Sequence, residues 1–401
     1  MSSVVTTSFI STNDRDRRIT GRLNEIFAMA AGKRWSDIHF ESLEDGSAEV
    51  RVRIRGKLKQ LEIVHPDDAK LLINKLRYRA NLDVSDTRHE QDGRFVQEFE
   101  GRRIDVRLNI VPTNFGYSAV VRLLDSANAG VPIEKLQMPE GVEAAFRWAL
   151  SQREGLVLNA GPTGSGKTTT LYAGLNSKNT EDVKIITAED PVEYILKRIQ
   201  QIQVGSGTGR TFASALRAFM RQDPDIILVG EIRDTETGSI AMRAGMTGHL
   251  VMASIHANSS LETYFRLHDL EIPPHIIGAS VRLFIAQRIV QTVCQSCREK
   301  APVALPEVFA GSGVEAPDWE WVGKGCEDCD GTGYDNRMAI FEAIKMTRAF
   351  RAALGDEKAM EAAAKLQPQY QSLRTAGCNL IVSGETNSLE IDRALSEGMA
   401  E

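Results

Sequence analysis

The chain has 401 residues, 42% hydrophobic and 25% charged, which is the balance of a folded globular protein and excludes a disordered or fibrous one. That length exceeds what one hydrophobic core usually serves, so two or more domains are expected. A net charge of −6 argues against a chain built mainly to coat nucleic acid, and no run approaches the roughly 20 apolar residues of a membrane helix.

The start, Met1-Ser-Ser-Val-Val-Thr-Thr-Ser-Phe-Ile10, has no basic segment before an apolar core, so no signal peptide is expected and a cytoplasmic chain is. Residues 1–18 are polar and aperiodic and read as a flexible tail. Ile19, Leu23, Ile26 and Phe27 then recur at helical spacing. In Glu49–Arg55, Val50, Val52 and Ile54 alternate with Arg51, Arg53 and Arg55, the period of a half-buried strand. Gly56-Lys57 suits a turn, and Pro66-Asp67-Asp68 suits the start of a helix carrying Leu72 and Leu76. A second alternating strand holds Ile104, Val106, Leu108 and Ile110; a turn over Pro112–Gly116 returns the chain through Val120–Leu124. Residues 19–125 are therefore expected to form an α+β domain on an antiparallel sheet.

Small residues from Ser126 to Pro132 mark a linker, taken as 126–136. Beyond it, 137–401 reads as an α/β domain. A helix with Val142, Phe146 and Leu150 leads to short apolar strands at Leu156–Asn159, Val183–Thr187, Ile226–Val229 and Leu250–Ser254, separated by helices. Continuous apolar runs of this kind belong in a buried, mainly parallel sheet. Segment 290–345 interrupts that rhythm and holds two cysteine pairs, and 346–401 is Ala-rich and helical.

Gly161-Pro162-Thr163-Gly164-Ser165-Gly166-Lys167-Thr168, followed by Thr169, matches the phosphate-binding loop in full, with a strand before it and a helix after. Glycines let backbone N–H groups turn toward phosphate oxygens, and the helix N-terminus favours an anion. ATP is the expected ligand, with Lys167 on its β- and γ-phosphates and Thr168 on Mg²⁺. The apolar run Asp225–Glu231 delivers Glu231 at the carboxyl end of a strand, able to orient the attacking water or to bind Mg²⁺ through a water. Glu189, Asp190 and Glu193 follow another strand and are read as supporting carboxylates at the nucleotide. His256, after the strand that holds Ser254, suits a phosphate sensor; His249, seven residues earlier, suits either that or packing.

Cys294-Gln-Ser-Cys297 and Cys326-Glu-Asp-Cys329 form two hooks, a pattern that suits a closed, structural tetrahedral Zn²⁺ site. Cys378 stands apart and reads as a small buried residue.

Several stretches together resemble the secretion-ATPase superfamily, in particular the motors of type II secretion and type IV pilus assembly. They are the phosphate loop, Glu189-Asp190-Pro-Val-Glu193, Arg221-Gln-Asp-Pro-Asp225, Gly230-Glu231-Ile-Arg233-Asp234, the histidine segment, Ala286-Gln287-Arg288, Ser36-Asp37-Ile-His39-Phe-Glu41 and Gln91-Asp92-Gly93-Arg94. The resemblance implies a PAS-like N-terminal domain joined by a linker to a RecA-like P-loop motor domain, and a ring of six with nucleotide between the two domains. It also implies N-terminal arginines that neutralise phosphate charge, and Arg107 and Arg122 lie in the matching segment. Docking would be on an inner-membrane platform protein, leaving the motor peripheral at that membrane, with no direct contact to nucleic acid. Where such motors usually have Gly-Glu after the proline turn, this sequence has Gly116-Tyr117. It starts without the extra N-terminal docking module of many assembly ATPases, at a length nearer the retraction motors. Retraction motors typically lack the cysteine hooks, which assembly members carry before a Gly-Tyr, here Gly333-Tyr334. The alternative readings are a pilus retraction motor, a RecA-like nucleic-acid translocase, and a regulator that binds nucleotide without turning it over.

Overall fold

The computed structural model describes residues 14–33, 35–54, 57–125, 130–205 and 208–396, and the chain divides into two compact units, Met1–Ala129 and Gly130–Glu401.

In the first unit, α1 (Asp14–Gly32) buries Ile19, Leu23, Ile26 and Phe27 along one face. Asp14 and Asp16 lie in its first turn, where a negative charge favours helix formation. The helix therefore takes in residues 14–18, and the expected tail is corrected there; residues 1–13 lie outside the described part. The strands are β1 (Asp37–Ser42), β2 (Ala48–Ile54), β3 (Lys57–Val64), β4 (Gln91–Phe99), β5 (Arg102–Thr113) and β6 (Gly116–Asp125), with α2 (Pro66–Arg79) between β3 and β4. They form one antiparallel sheet in the order β3-β2-β1-β6-β5-β4. Alternation does what it predicts: Val50, Val52, Ile104, Val106, Leu108 and Ile110 are buried in a core they share with Leu72 and Leu76 of α2. The departure at Tyr117 also has a structural place. Its ring lies 4.2 Å from the guanidinium of Arg77, a buried residue that also donates to Gln91 Oε1 at 2.9 Å. A buried cation gains from an aromatic face and an amide oxygen where it has no water.

The second unit opens with a single helical turn at Ile133–Leu136, inside the expected linker, and buries Ile133. Residues 126–129 of that linker lie outside the described part. Then come α3 (Glu140–Leu150), β7 (Gly155–Ala160), α4 (Lys167–Lys178), β8 (Ile185–Glu189), β9 (Gln200–Gln203), α5 (Phe212–Phe219), β10 (Ile226–Val229), α6 (Thr235–Ala244), β11 (Leu250–Ile255), α7 (Ser260–Asp269), α8 (Pro274–Ser280) and β12 (Val281–Val293). The chain continues through β13 (Arg298–Pro302), β14 (Trp319–Gly323) and β15 (Tyr334–Lys345) to α9 (Arg348–Ala352), α10 (Glu357–Lys365), α11 (Leu373–Val382) and α12 (Ser388–Ser396). The sheet order is β15-β12-β7-β11-β10-β8-β9, parallel throughout except that β15 runs against β12. Every residue of β7, β10 and β11 is buried, as continuous apolar runs require.

The expected boundaries of the cysteine module, 290 and 345, are corrected inward. Val290 lies in β12, Lys345 ends β15, and Val293 pairs with Tyr334, so the module occupies 294–333, between two adjacent sheet strands. The cause is strand pairing, since β12 and β15 stay partnered from Leu283–Lys345 to Val293–Tyr334. Inside the module, β13 and β14 form an antiparallel ribbon.

A buried carboxylate joins the sheet to the helices behind it. Glu342 on β15 accepts from Ser260 N at 2.7 Å and from Leu373 N at 3.2 Å, which are the first residues of α7 and α11. Each helix start has N–H groups with no acceptor of its own, and one anion serves two of them. Burial pushes the Glu342 carboxyl above the usual carboxylate range. Glu342→Ala strands both N–H groups in the core. It is expected to cost about 2–4 kcal/mol, read as a lower thermal midpoint of the full chain.

Candidate active site and four-cysteine cluster

Between β7 and α4 the chain wraps into a loop that only its glycines permit. Gly161, Gly164 and Gly166 have φ of 153°, 83° and 86°. Gly166 caps α4 without a side chain, so the first-turn N–H groups of Lys167, Thr168 and Thr169 face the loop's concavity. Pro162, Thr163, Gly164 and Ser165 form the arch, and a Cβ added at Gly161 would come 2.7 Å from the Gln287 carbonyl. Lys167 Nζ donates to the carbonyl oxygens of Gly161 at 2.5 Å and Pro162 at 2.9 Å. Burial lowers its pKa from 10.5 to about 8; Glu231 opposes that fall and Arg288 adds to it.

Glu231 follows β10 and His256 follows β11, so two adjacent parallel strands deliver them to the same edge of the sheet. His256 Nε2 lies 2.8 Å from Glu231 Oε1, and Arg233 Nε donates to Glu231 Oε2 at 2.6 Å. Ser254 Oγ donates to Gly230 O at 2.5 Å, which ties the two strand ends together. His249 precedes β11, with its Nδ1 3.2 Å from the Ala244 carbonyl, as packing predicts.

The acidic segment divides. Glu189 turns inward: its carboxylate accepts from the Tyr172 hydroxyl, from Thr187 Oγ1 at 2.5 Å and from Gln201 Nε2 at 3.1 Å, and only 4% of the residue is exposed. The expectation that Glu189 itself holds the nucleotide is corrected by this enclosure. Tyr172 of α4 and Gln201 of β9 occupy its oxygens, and it fastens α4 to the sheet. Burial raises the Glu189 carboxyl above its ordinary range. Asp190 is exposed and Glu193 partly so. Asp190 bears electrostatically on Arg233, and Glu193 on Glu189.

Arg107 and Arg122 belong to the first unit and face each other across β5 and β6. The same rung carries Arg53, Asp37 and Arg94, because Asp37 pairs with both Arg53 and Arg122, and Arg94 with Arg107. Directly paired residues share a face, and the neighbouring rung of Val52, Ile38, Val121 and Leu108 lies in the core, so the arginines line the other face. Arg122 Nε donates to Asp37 Oδ1 at 3.0 Å, and Arg53 Nε lies 3.7 Å from Asp37 Oδ2.

Cys294, Cys297, Cys326 and Cys329 converge, with all four Sγ atoms within 4.8 Å of one another. Sγ separations of 3.8 Å (294–326), 3.8 Å (297–329) and 3.7 Å (326–329) are too long for disulfides. They match the edge of about 3.8 Å that bonds of about 2.3 Å give a tetrahedral metal thiolate. The N–H groups of Cys326 and Gly333 point at Cys329 Sγ, at 3.1 and 3.2 Å, as a thiolate favours. The donor set fits a metal ion.

Over residues 12–393 the sequence matches the family described as Type II/IV secretion system protein. The chain belongs to this family. It is 37% identical to the type II secretion system protein E of Aeromonas hydrophila over 386 residues, covering 96% of this chain and 77% of that protein. It is 40% identical to the type IV pilus assembly ATPase PilB of Acinetobacter baylyi over 385 residues, covering 94% of this chain and 66% of that protein. It is an ATPase of the type II/IV secretion family. The crystal structure of the pilus retraction motor PilT with bound ADP is similar at a TM-score of 0.65 and 27% identity, over 92% of this chain and 96% of that one. The ATPase DotB of Legionella pneumophila shares the fold at a TM-score of 0.71 and 20% identity, over 94% and 96% of the two chains.

Sequence reasoning assigned no role to three residues of this secretion ATPase: Asn159 and Gln287, which touch its phosphate loop or the start of α4, and Tyr172 of α4, which holds Glu189. Asn159 carried a readable signal, a lone amide in the apolar run Leu156-Val-Leu-Asn-Ala160.

The Lys167 amine is expected to titrate near pH 8 in the nucleotide-free protein. Acylation of Lys167, followed by mass spectrometry, should rise through that pH rather than near 10.5. Glu231→Gln removes the charge that holds the pKa up and should move the midpoint lower still.

Proposed function

We propose that this ATPase hydrolyses ATP at the Gly161–Thr169 loop and converts the energy into work for a pilus-assembly or protein-secretion machine. The observation that carries the reading is the Lys167 ammonium, poised on two loop carbonyls beside the Glu231–His256 pair. Lys167 exchanges those carbonyls for the β- and γ-phosphates, and loop N–H groups hold the remaining oxygens. Thr168, with Asp190 or Glu193 through water, would hold Mg²⁺, which screens the phosphate charge. Arg233 holds Glu231 Oε2 and His256 holds Oε1, and the second lone pair of Oε1 receives the attacking water. The water oxygen bonds to the γ-phosphorus, its proton passes to Glu231, and the bond to the β-phosphate oxygen breaks to release ADP. His256 steadies that carboxylate and reports the γ-phosphate to α7.

In this reading the active form is a homohexamer. A PAS-like domain (19–125) and a motor domain (137–401) are joined by the 126–136 linker. Arg107 and Arg122 reach a neighbouring subunit's phosphates, with Asp37 orienting Arg122. The ring works at the inner face of the inner membrane through a platform protein; among the described residues no helix is long and apolar enough to cross a membrane. Zn²⁺ is the metal of the four cysteines, and it closes the module. Support for assembly or secretion over retraction comes from relatives of those kinds at 37% and 40% identity, against 27% for PilT, and from the cysteine cluster.

Steady-state turnover of the purified full chain tests the chemistry. Lys167→Ala and Glu231→Gln are each expected to lower kcat by about a hundredfold or more, Glu231→Gln with nucleotide binding retained. Turnover equal to wild type in either variant overturns the assignment. Elemental analysis should find one zinc per chain. Cys294→Ser should lose that zinc and lower the thermal midpoint, and zinc-free wild type of full stability would refute the structural role.

A further inference from the structure

Ala286-Gln287-Arg288 lies in β12, and the chemistry above leaves it without a role. β12 runs parallel beside β7, with Ile285 opposite Asn159 and Ala286 opposite Ala160, so Gln287 comes just where β7 ends and the phosphate loop begins. Neighbouring residues on a strand point to opposite faces. Gln287 turns to the loop: its Nε2 donates to Ser165 O at 2.5 Å, and its Oε1 accepts from Asn159 Nδ2 at 2.7 Å. Its carbonyl closes the space over Gly161, and Nε2 would stand 2.9 Å from a Cβ on Gly166. One buried residue thus borders three positions of the loop, two through its side chain and Gly161 through its carbonyl. Arg288, also buried, reaches the segment after His256: its Nη2 donates to Asn258 O at 3.2 Å and to Asn258 Oδ1 at 3.1 Å, while its Nη1 donates to the Gln287 carbonyl at 3.1 Å. Asn258 lies two residues after His256, before α7 begins.

We infer that Gln287 and Arg288 are positioning residues with divided labour: Gln287 keeps the phosphate loop in its receptive shape, and Arg288 keeps the His256 loop in register with it. The inference rests on the reading of Gly161–Thr169 as an ATP site. Glycine loses more conformational freedom on ordering than any other residue, and this loop has three. A loop already held spares the nucleotide that cost, so the Gln287 contacts act on affinity. The Arg288 contacts set where His256 meets Glu231, so they act on the hydrolytic step. Two adjacent residues of one strand therefore control different kinetic constants.

The test is nucleotide affinity, kcat and KM of the full chain, with Lys167→Ala as the blank. Gln287→Ala is expected to weaken ATP binding about tenfold, the worth of one or two buried hydrogen bonds, with kcat within about twofold of wild type. Gln287→Met keeps the bulk without the hydrogen bonds and should show the same loss. Arg288→Ala should lower kcat about tenfold with affinity within about twofold, and Arg288→Lys should restore it only in part. Asn258→Ala, at a part-exposed position that tolerates truncation, should repeat the kcat loss in smaller measure. Variants indistinguishable from wild type overturn the inference, as does a fall in all constants that tracks thermal midpoint alone. A wild-type chain that neither binds nor hydrolyses ATP overturns the ATP-site reading instead, so the two failures are distinct.

Discussion

The Lys167 ammonium is a cation held largely out of water, and the active-site half of the fold is arranged around that cost. Burial weakens its hold on its proton, the Glu231 carboxylate strengthens it, and the Gly161 and Pro162 carbonyls take up its donors. Each of these partners demands something of the backbone. The carbonyls face inward only because the loop bends through positive φ at glycines. Glu231 comes within reach only because β10 lies in the same parallel sheet as β7, one strand removed across β11. Moving one partner leaves a charge without compensation, which is far more costly in a protein interior than in water.

The same logic recurs where the chemistry does not reach. Glu189 and Glu342 are buried carboxylates with raised pKa, and each gathers donors from separate elements. Glu189 binds α4, which starts at Lys167, to the end of β8. Glu342 binds the starts of α7 and α11 to β15. Glu320 of β14 does likewise for α12, accepting from Ser388 N at 2.6 Å and Ser388 Oγ at 2.9 Å. A satisfied buried carboxylate specifies one arrangement of its partners, since any other strands several polar groups together.

Legibility in the sequence followed the range of the interaction. Period-two alternation in residues 50–54 and 104–110 and unbroken apolar runs such as Leu250–Ser254 are local properties, and they mapped onto strands. The phosphate loop was legible because its glycines, lysine and threonine are contiguous, and the cysteine hooks because four thiols have few other uses. Pairings distant along the chain were not legible. Nothing near Gln287 announces that it meets Ser165, and nothing near Glu189 says that Tyr172 will turn it away from the nucleotide. The arginine rung needed cross-strand register, which fixes Arg53, Asp37, Arg122, Arg107 and Arg94 in one line. The limits of the cysteine module were missed because Ile289, Val290 and Met338–Lys345 are sheet strands by partnership rather than by composition.

That last point bears on how force would travel. β12 passes without a break from Gln287, against the phosphate loop, to Val293, one residue before the first cysteine, and β15 returns beside it. Six steps of extended chain span about 20 Å. Both strands are hydrogen-bonded along that length, with one register shift between Thr292 and Val293. The cysteine module is therefore joined to the sheet by two paired strands, and its Val308 and Phe309 pack into the same core, so it follows the sheet as one body rather than on a tether.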